Sequence, residues 1–275
     1  MIEHNKFFWM RWMLCGALIG AGGILPGVSG GVLAVIFGIY RPFMEILTSP
    51  RQGLSRYWQG IVPLAIGWCA GFLSFAKGLS IAFSSHETVM IWLFIGLICG
   101  TLPSLLREAG KEGHPKSGWF SMVFCAAAGL FILYYVNHIA DIQVQPHFGW
   151  YNFCGVLLGI GIIVPGLTTS PVLMALGLYR PMLEGLARLD LEILLSCLPG
   201  LLITMILLAR FVNWIFRRYY AAAFHGILGI VAASTLSIIP LSYSGFIELF
   251  LSFAAAVAGG LLAMLLGRLE EKSDV

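Results

Sequence analysis

The chain is predicted to be an all-α polytopic membrane protein made of two inverted-topology repeats, each a broken re-entrant helical hairpin plus three transmembrane helices. Three observations predict this. Of the 275 residues 59% are hydrophobic and 11% charged, with a mean hydropathy of +0.90, far too few charges to clothe a soluble globule. The stretch Gly20 to Leu47 occurs a second time as Gly159 to Leu186. Between the copies lie three apolar runs of spanning length, an odd number, so the second copy enters from the opposite side.

The duplication is gapless. Pro26 and Gly27 fall on Pro165 and Gly166, Gly38 on Gly177, Tyr40-Arg41-Pro42 on Tyr179-Arg180-Pro181, and Glu45 on Glu184. Each copy reads apolar run, Pro-Gly break, small polar residues, second apolar run, then Tyr-Arg-Pro and a glutamate. The second run, Gly31 to Tyr40, is only about 15 Å long as a helix, half of a ~30 Å hydrocarbon core. It cannot span alone. With the run before it, it forms a helix that enters, breaks near mid-depth and returns to its own side, which is tolerated only where protein or water satisfies the open backbone.

In chain order, the first hairpin covers roughly Phe8 to Leu47. Runs at about Trp58 to Phe83, Val89 to Leu106 and Trp119 to Asn137 follow, separated by Ser84-Ser85-His86-Glu87 and by the polar stretch Arg107 to Ser117. The linker His138 to Trp150 leads to the second hairpin, about Tyr151 to Leu186. Three further runs, Leu191 to Ala209, Tyr220 to Pro240 and Phe246 to Leu266, complete it. The chain is one membrane domain, with a first repeat over 1–137, a second over 149–268 and a polar cytoplasmic tail at 269–275.

Basic residues set the orientation. With the N-terminus inside, the inside segments hold Lys6, Arg11, Arg41, Arg51, Arg56, Arg107, Lys111, Lys116, Arg210, Arg217, Arg218, Arg268 and Lys272, and the outside segments only Arg180 and Arg188. Both termini are therefore expected in the cytoplasm of a multi-pass inner-membrane protein. Lys6 and Arg11 before an apolar run resemble a signal peptide, but no small-x-small cleavage pattern follows and the run enters the repeat, so it is kept as mature sequence. The net charge of +3 reflects this topology and does not point to nucleic acid. The run Arg210 to Arg218 also attracts anionic membrane lipid.

The six cysteines, Cys15, Cys69, Cys99, Cys125, Cys154 and Cys197, lie in apolar runs without C-x-x-C spacing and read as small apolar fillers. The histidines, His4, His86, His114, His138, His147 and His225, fall mostly at loops or interfaces and form no metal spacing. No metal and no cofactor is expected.

The candidate chemistry is in the duplicated stretch. The breaks, Pro26, Gly27, Ser29, Gly30 and Gly31 in one copy and Pro165, Gly166, Thr168, Thr169 and Ser170 in the other, open helix N-termini whose free N–H groups favour an anion. Ser29, Thr169 or Ser170 suits a cap, and Pro171 the first helical position. They also read as capped kinks closed by neighbouring helices; the two inverted copies favour the anion. Arg41 and Arg180 offer guanidinium forks matched to phosphate. Glu45 and Glu184, four residues on, share their helical face and suit either an ion pair that anchors the hairpin or proton exchange. Lys77, the basic residue within a spanning run, lies about two turns from the outer end; it snorkels to the interface or faces a central cavity as a third cation.

At P-G-V-S-G-G to G-I-Y-R-P and its echo P-G-L-T-T-S to G-L-Y-R-P, the chain resembles the PopT-like polyprenyl-phosphate (undecaprenyl phosphate) transporter family, formerly a domain of unknown function. The resemblance covers essentially the whole chain. It implies a flippase that returns undecaprenyl phosphate, the carrier lipid of envelope polymer synthesis, from the outer to the inner leaflet. By motif position it implies substrate roles for Ser29, Arg41, Glu45, Thr168, Thr169, Arg180 and Glu184. The second break departs from the first, with Thr-Thr-Ser-Pro in place of Ser-Gly-Gly.

The residues themselves leave a second transport reading open, a carrier or channel for a small soluble anion. An enzyme is disfavoured, because no Ser/His/Asp or His/Asp constellation occurs in the membrane-facing runs. A purely structural role leaves the duplicated breaks and arginines unexplained. Coupling to a proton or ion through Glu45 and Glu184, and the oligomeric state, are not fixed by the sequence.

Overall fold

The structure is a computed structural model that describes all residues except 1–5, 27–32, 35, 40–41, 43–44, 46–49, 112, 114–115, 136–146, 164–168 and 274–275. Most of the linker from His138 to Trp150 thus lies outside the described residues. Among those described there are helices and no strands: α1 Lys6–Gly22, α2 Pro50–Ser85, α3 Glu87–Ala109, α4 Lys116–Tyr134, α5 Phe148–Ile163, α6 Ser170–Ala175, α7 Tyr179–Arg188, α8 Leu191–Ile203, α9 Ala209–Ser237 and α10 Phe246–Ser273. Among the described residues five stretches are long and apolar enough to cross a membrane: Ser55–Ser85, Glu87–Ala109, Lys116–Tyr134, Arg218–Ser237 and Phe246–Leu269. Exposed Phe120, Phe124, Phe131, Phe246, Phe250 and Phe253 give α4 and α10 the apolar outer face expected against lipid.

The expected run Leu191 to Ala209 is not one α-helix. The 13 residues of α8 are followed by a π-helical turn, Thr204–Leu208, and then by the start of α9. At 1.5 Å per residue α8 covers about 20 Å, too short by itself to cross a ~30 Å hydrocarbon core. The helix then kinks at Tyr219, where φ is −138° and ψ 43°, and the next candidate span starts at Arg218.

Glycines decide which helices touch. A Cβ on Gly16 would collide with the Leu64 carbonyl, on Gly20 with that of Trp68, on Gly67 with that of Met13 and on Gly71 with that of Ala17. α1 and α2 therefore lie backbone against backbone, and their register rises together: they are parallel. Small residues of this kind drive helix association in lipid, where apolar burial alone gives no preference. The same contact recurs in the second half, where Gly155 meets Cys197 and Gly159 meets Leu201 and Thr204, setting α5 parallel to α8. In the gapless repeat alignment Gly155 is the counterpart of Gly16 and Gly159 of Gly20.

Parallel packing of consecutive helices constrains what joins them. The C-terminal end of α1 and the N-terminal end of α2 therefore lie at opposite ends of the packed pair. In the second half α6 and α7 lie between α5 and α8 in the chain.

The remaining helices exchange partners between halves. α3 packs parallel on α10 through Gly96 and Gly100 against Ala256 and Gly260, and α4 packs parallel on α9 through Gly229 against Met122 and the Ser121 hydroxyl donating to the Ala222 carbonyl at 2.8 Å. His225 differs from the sequence expectation, being fully buried in α9. Its Nδ1 lies 2.7 Å from the Ala221 carbonyl, which only accepts, so Nδ1 carries the proton. The Trp119 ring stands edge-on to it at 5.6 Å.

Two glycines two turns apart on α2 test this packing. Gly71→Ala is expected to lose about 1–3 kcal/mol by overpacking against Ala17, read as a lower unfolding temperature in detergent. Gly78→Ala, with nothing within 4 Å of its Cβ position, is expected to leave that temperature unchanged or to raise it slightly.

Candidate functional site

The turn at the duplicated glycine keeps its geometry in both copies. Gly38 has φ +71° and Gly177 φ +70°, a left-handed conformation that glycine adopts without penalty. Around each, the same pair of bonds forms. Phe37 N–H donates to Leu33 and Ile39 N–H to Ala34, at 3.0 and 2.8 Å, while Leu176 N–H donates to Val172 and Leu178 N–H to Leu173, at 3.1 and 2.9 Å. The glycine thus ends a short helix and turns the chain into Tyr-Arg-Pro, satisfying carbonyls that would otherwise stand open. Its place in both copies was visible in the sequence, but its left-handed role was not read from it.

Tyr179 follows immediately and is buried, 3% exposed. Its hydroxyl donates to the carbonyl of Ile24 at 3.0 Å, two residues before Pro26, itself fully buried. A proline cannot donate, so a helix broken there leaves carbonyls upstream without partners. The second copy supplies one from across the molecule. Phe94 holds the ring edge-on at 5.5 Å and Phe83 packs tilted against it at 6.0 Å between centroids, contacts of about 0.5–1.5 kcal/mol each beyond area burial. Ile24, Ala76, Leu79, Leu97, Leu173, Leu178 and Leu183 close the same core.

Arg180 stands next to this core and is 41% exposed. Its Nε donates to Glu184 Oε1 at 3.1 Å, the expected i,i+4 pair, and its Nη1 to Glu87 Oε2 at 3.2 Å. Glu87 opens α3, in the first half. Sequence reasoning passed over it as a loop residue, since no local spacing links it to Arg180. In the first copy, Glu45 accepts from the Tyr57 hydroxyl at 3.0 Å and pairs with Arg56 at 3.5 Å, both from the start of α2. Glu45 and Arg180 thus stand at opposite ends of α2. Arg56 and Ser85, which mark those ends, are about 44 Å apart along the axis at 1.5 Å per residue.

Of the other expected site residues, Gly27, Ser29, Gly30, Gly31, Arg41, Pro165, Gly166 and Thr168 lie outside the described residues. Thr169 is buried and occupies the N-cap position of α6, yet its backbone is already helical, φ −90° and ψ −5°, and its side chain makes no capping bond. The expected cap is therefore not formed by Thr169. Pro171 sits in the first turn as expected, and Ser170 is half-buried. α6 is only six residues long, so the formal charge of this region comes from Arg180, Glu184 and Glu87. Lys77 is exposed, on one stripe of α2 with Ile66, Ala70, Ser74 and Ile81, and is not brought to Arg180. All six cysteines are free thiols.

Comparison with known proteins places these features in context. Residues 19–248 match the family model described as VCA0040-like, undecaprenyl phosphate translocase-like. The chain is 26% identical over 221 residues to a polyprenyl-phosphate transporter of Vibrio cholerae, covering 75% of this chain and 70% of that one. It is 23% identical over 290 aligned positions to a polyprenyl-phosphate transporter of Staphylococcus aureus, covering 98% of this chain and 100% of that one. No solved structure matches.

The bridge between halves gives a direct test. Tyr179→Phe keeps the ring and removes the donor to Ile24, so the unfolding temperature in detergent is expected to fall by the equivalent of about 1–2 kcal/mol. An unchanged temperature would show that the carbonyl is satisfied otherwise.

Proposed function

The chain belongs to the undecaprenyl phosphate translocase-like family, and from that premise we propose that it carries polyprenyl phosphate from the outer to the inner leaflet of the cytoplasmic membrane. The observation that supports this most is the placement of the duplicated motif, with Glu45 at one end of α2 and its counterpart Glu184, beside Arg180, at the other. We read this as two inverted repeats, each offering a polar station to one leaflet.

The physical problem is the headgroup. A phosphate crosses hydrocarbon only at a cost of many kcal/mol, whereas the prenyl chain is at home there. A carrier therefore needs a polar route for the phosphate and an outer surface that lets the tail stay in lipid. Arg180 presents a half-exposed guanidinium whose fork fits phosphate oxygens. Arg41 holds the equivalent sequence position in the first copy. The headgroup passes from Arg180 to Arg41, with Glu184 and Glu45 orienting the route and available for a coupling proton or ion.

Charge supports the orientation. Arg51, Arg56, Arg107, Lys111 and Lys116 lie at the ends of α2, α3 and α4 opposite to Glu87 and Arg180, a bias that supports the reading with the Arg180 end outside and both termini in the cytoplasm.

Reconstitution tests the function. With fluorescent undecaprenyl phosphate placed in one leaflet of vesicles, the wild-type protein is expected to exchange it far faster than empty vesicles. Arg180→Ala, Arg41→Ala and the pair are expected to lose at least about tenfold, the loss of one charge-assisted phosphate contact, and Arg180→Lys to recover only part. Absence of translocation by folded wild-type protein under either pH-gradient polarity would overturn the reading in favour of a small soluble anion.

A further inference from the structure

We propose that Glu87 is the carboxylate that a phosphate headgroup displaces from Arg180, and that it thereby sets how tightly the outer station takes its lipid. The inference rests on the translocase reading above and adds a residue outside the duplicated motif.

Arg180 is held by two carboxylates that differ in kind. Glu184 is one turn along the same helix and moves with it. Glu87 belongs to α3, in the other half, and reaches Nη1 at 3.2 Å with 59% of its side chain exposed. One guanidinium between two carboxylates carries a formal excess of one negative charge, which repels an incoming phosphate. One carboxylate must therefore leave. Glu87 leaves more easily, because an exposed ion pair is weak and its side chain has water to enter.

The surroundings strengthen the requirement. Glu248 of α10 accepts the Ser244 N–H at 2.6 Å and lies in the electrostatic reach of His86 and Thr88, the neighbours of Glu87. Glu87, Glu184 and Glu248 thus set three carboxylates on the side of Arg180 and His86, so an incoming anion is favoured where it takes over the guanidinium. A phosphate offers two oxygens to the fork and replaces the single Glu87 contact. Because Glu87 and Arg180 sit on opposite halves, the exchange also releases a tie between them.

Equilibrium binding to the full-length protein in detergent tests this, with undecaprenyl phosphate and neutral undecaprenol as probes. Removing one unit charge near the site, Glu87→Gln is expected to bind undecaprenyl phosphate about fivefold tighter. Undecaprenol binding should stay unchanged, Glu87→Asp should match wild type, and Arg180→Ala should abolish the gain. In vesicles the half-saturating lipid concentration should fall in parallel.

Equal phosphate-lipid affinity of wild type and Glu87→Gln would overturn the proposal, as would equal tightening for undecaprenol, which marks a mere packing change. Failure of the translocase reading looks different: the wild type binds the lipid and Glu87→Gln tightens it, while no translocation occurs.

Discussion

A helix that breaks inside hydrocarbon leaves backbone carbonyls that water cannot reach, and every such carbonyl needs a partner from the protein. The hydroxyl of Tyr179 on the Ile24 carbonyl meets that need at the first break, and it does so from the second half of the chain. The same ring is clamped by Phe83 and Phe94 of the first half, so each half completes the other. Arg180 is fixed as a consequence. It follows Tyr179 directly, on a helix whose buried face is locked into the core, and its charged face is therefore held toward the α2–α3 corner where Glu87 waits.

The glycine contacts complete the frame. α1 packs parallel on α2 and α5 parallel on α8, with α6 and α7 joining the second pair. α3 with α10 and α9 with α4 then stitch the halves together. A rigid scaffold of backbone-to-backbone pairs surrounds two short, turned segments carrying the charges. In such an arrangement motion falls to the charged corners, where exposed ion pairs are weak, rather than to the glycine-packed pairs.

Much of this was legible in the sequence. Hydropathy placed the spans at α2, α3, α4 and α10 within a few residues, and the duplicated Tyr-Arg-Pro pointed to the turn that matters. The Arg180–Glu184 pair followed from helical spacing alone. Glu87 and the partners of Glu45, Arg56 and Tyr57, did not, since pairings between separate helices leave no periodic trace. Tyr179 was in view as part of the repeat, but its bond to Ile24 depends on where two distant turns meet. The single run Leu191 to Ala209 hid a π-helical turn because composition is blind to a one-residue change in the hydrogen-bond ladder. Thr169 has the residue type of a cap, yet its helical backbone angles leave its side chain without the capping bond.

The central claim is that the two copies of the motif serve opposite faces of the membrane. It is tested most directly by placing one cysteine at Arg56 or at Glu87, in a background with the six native cysteines replaced, and labelling intact cells with a membrane-impermeant maleimide. The account predicts that the cysteine at 87 is labelled from outside and the one at 56 only after the membrane is opened. Labelling of both from the same side would contradict it.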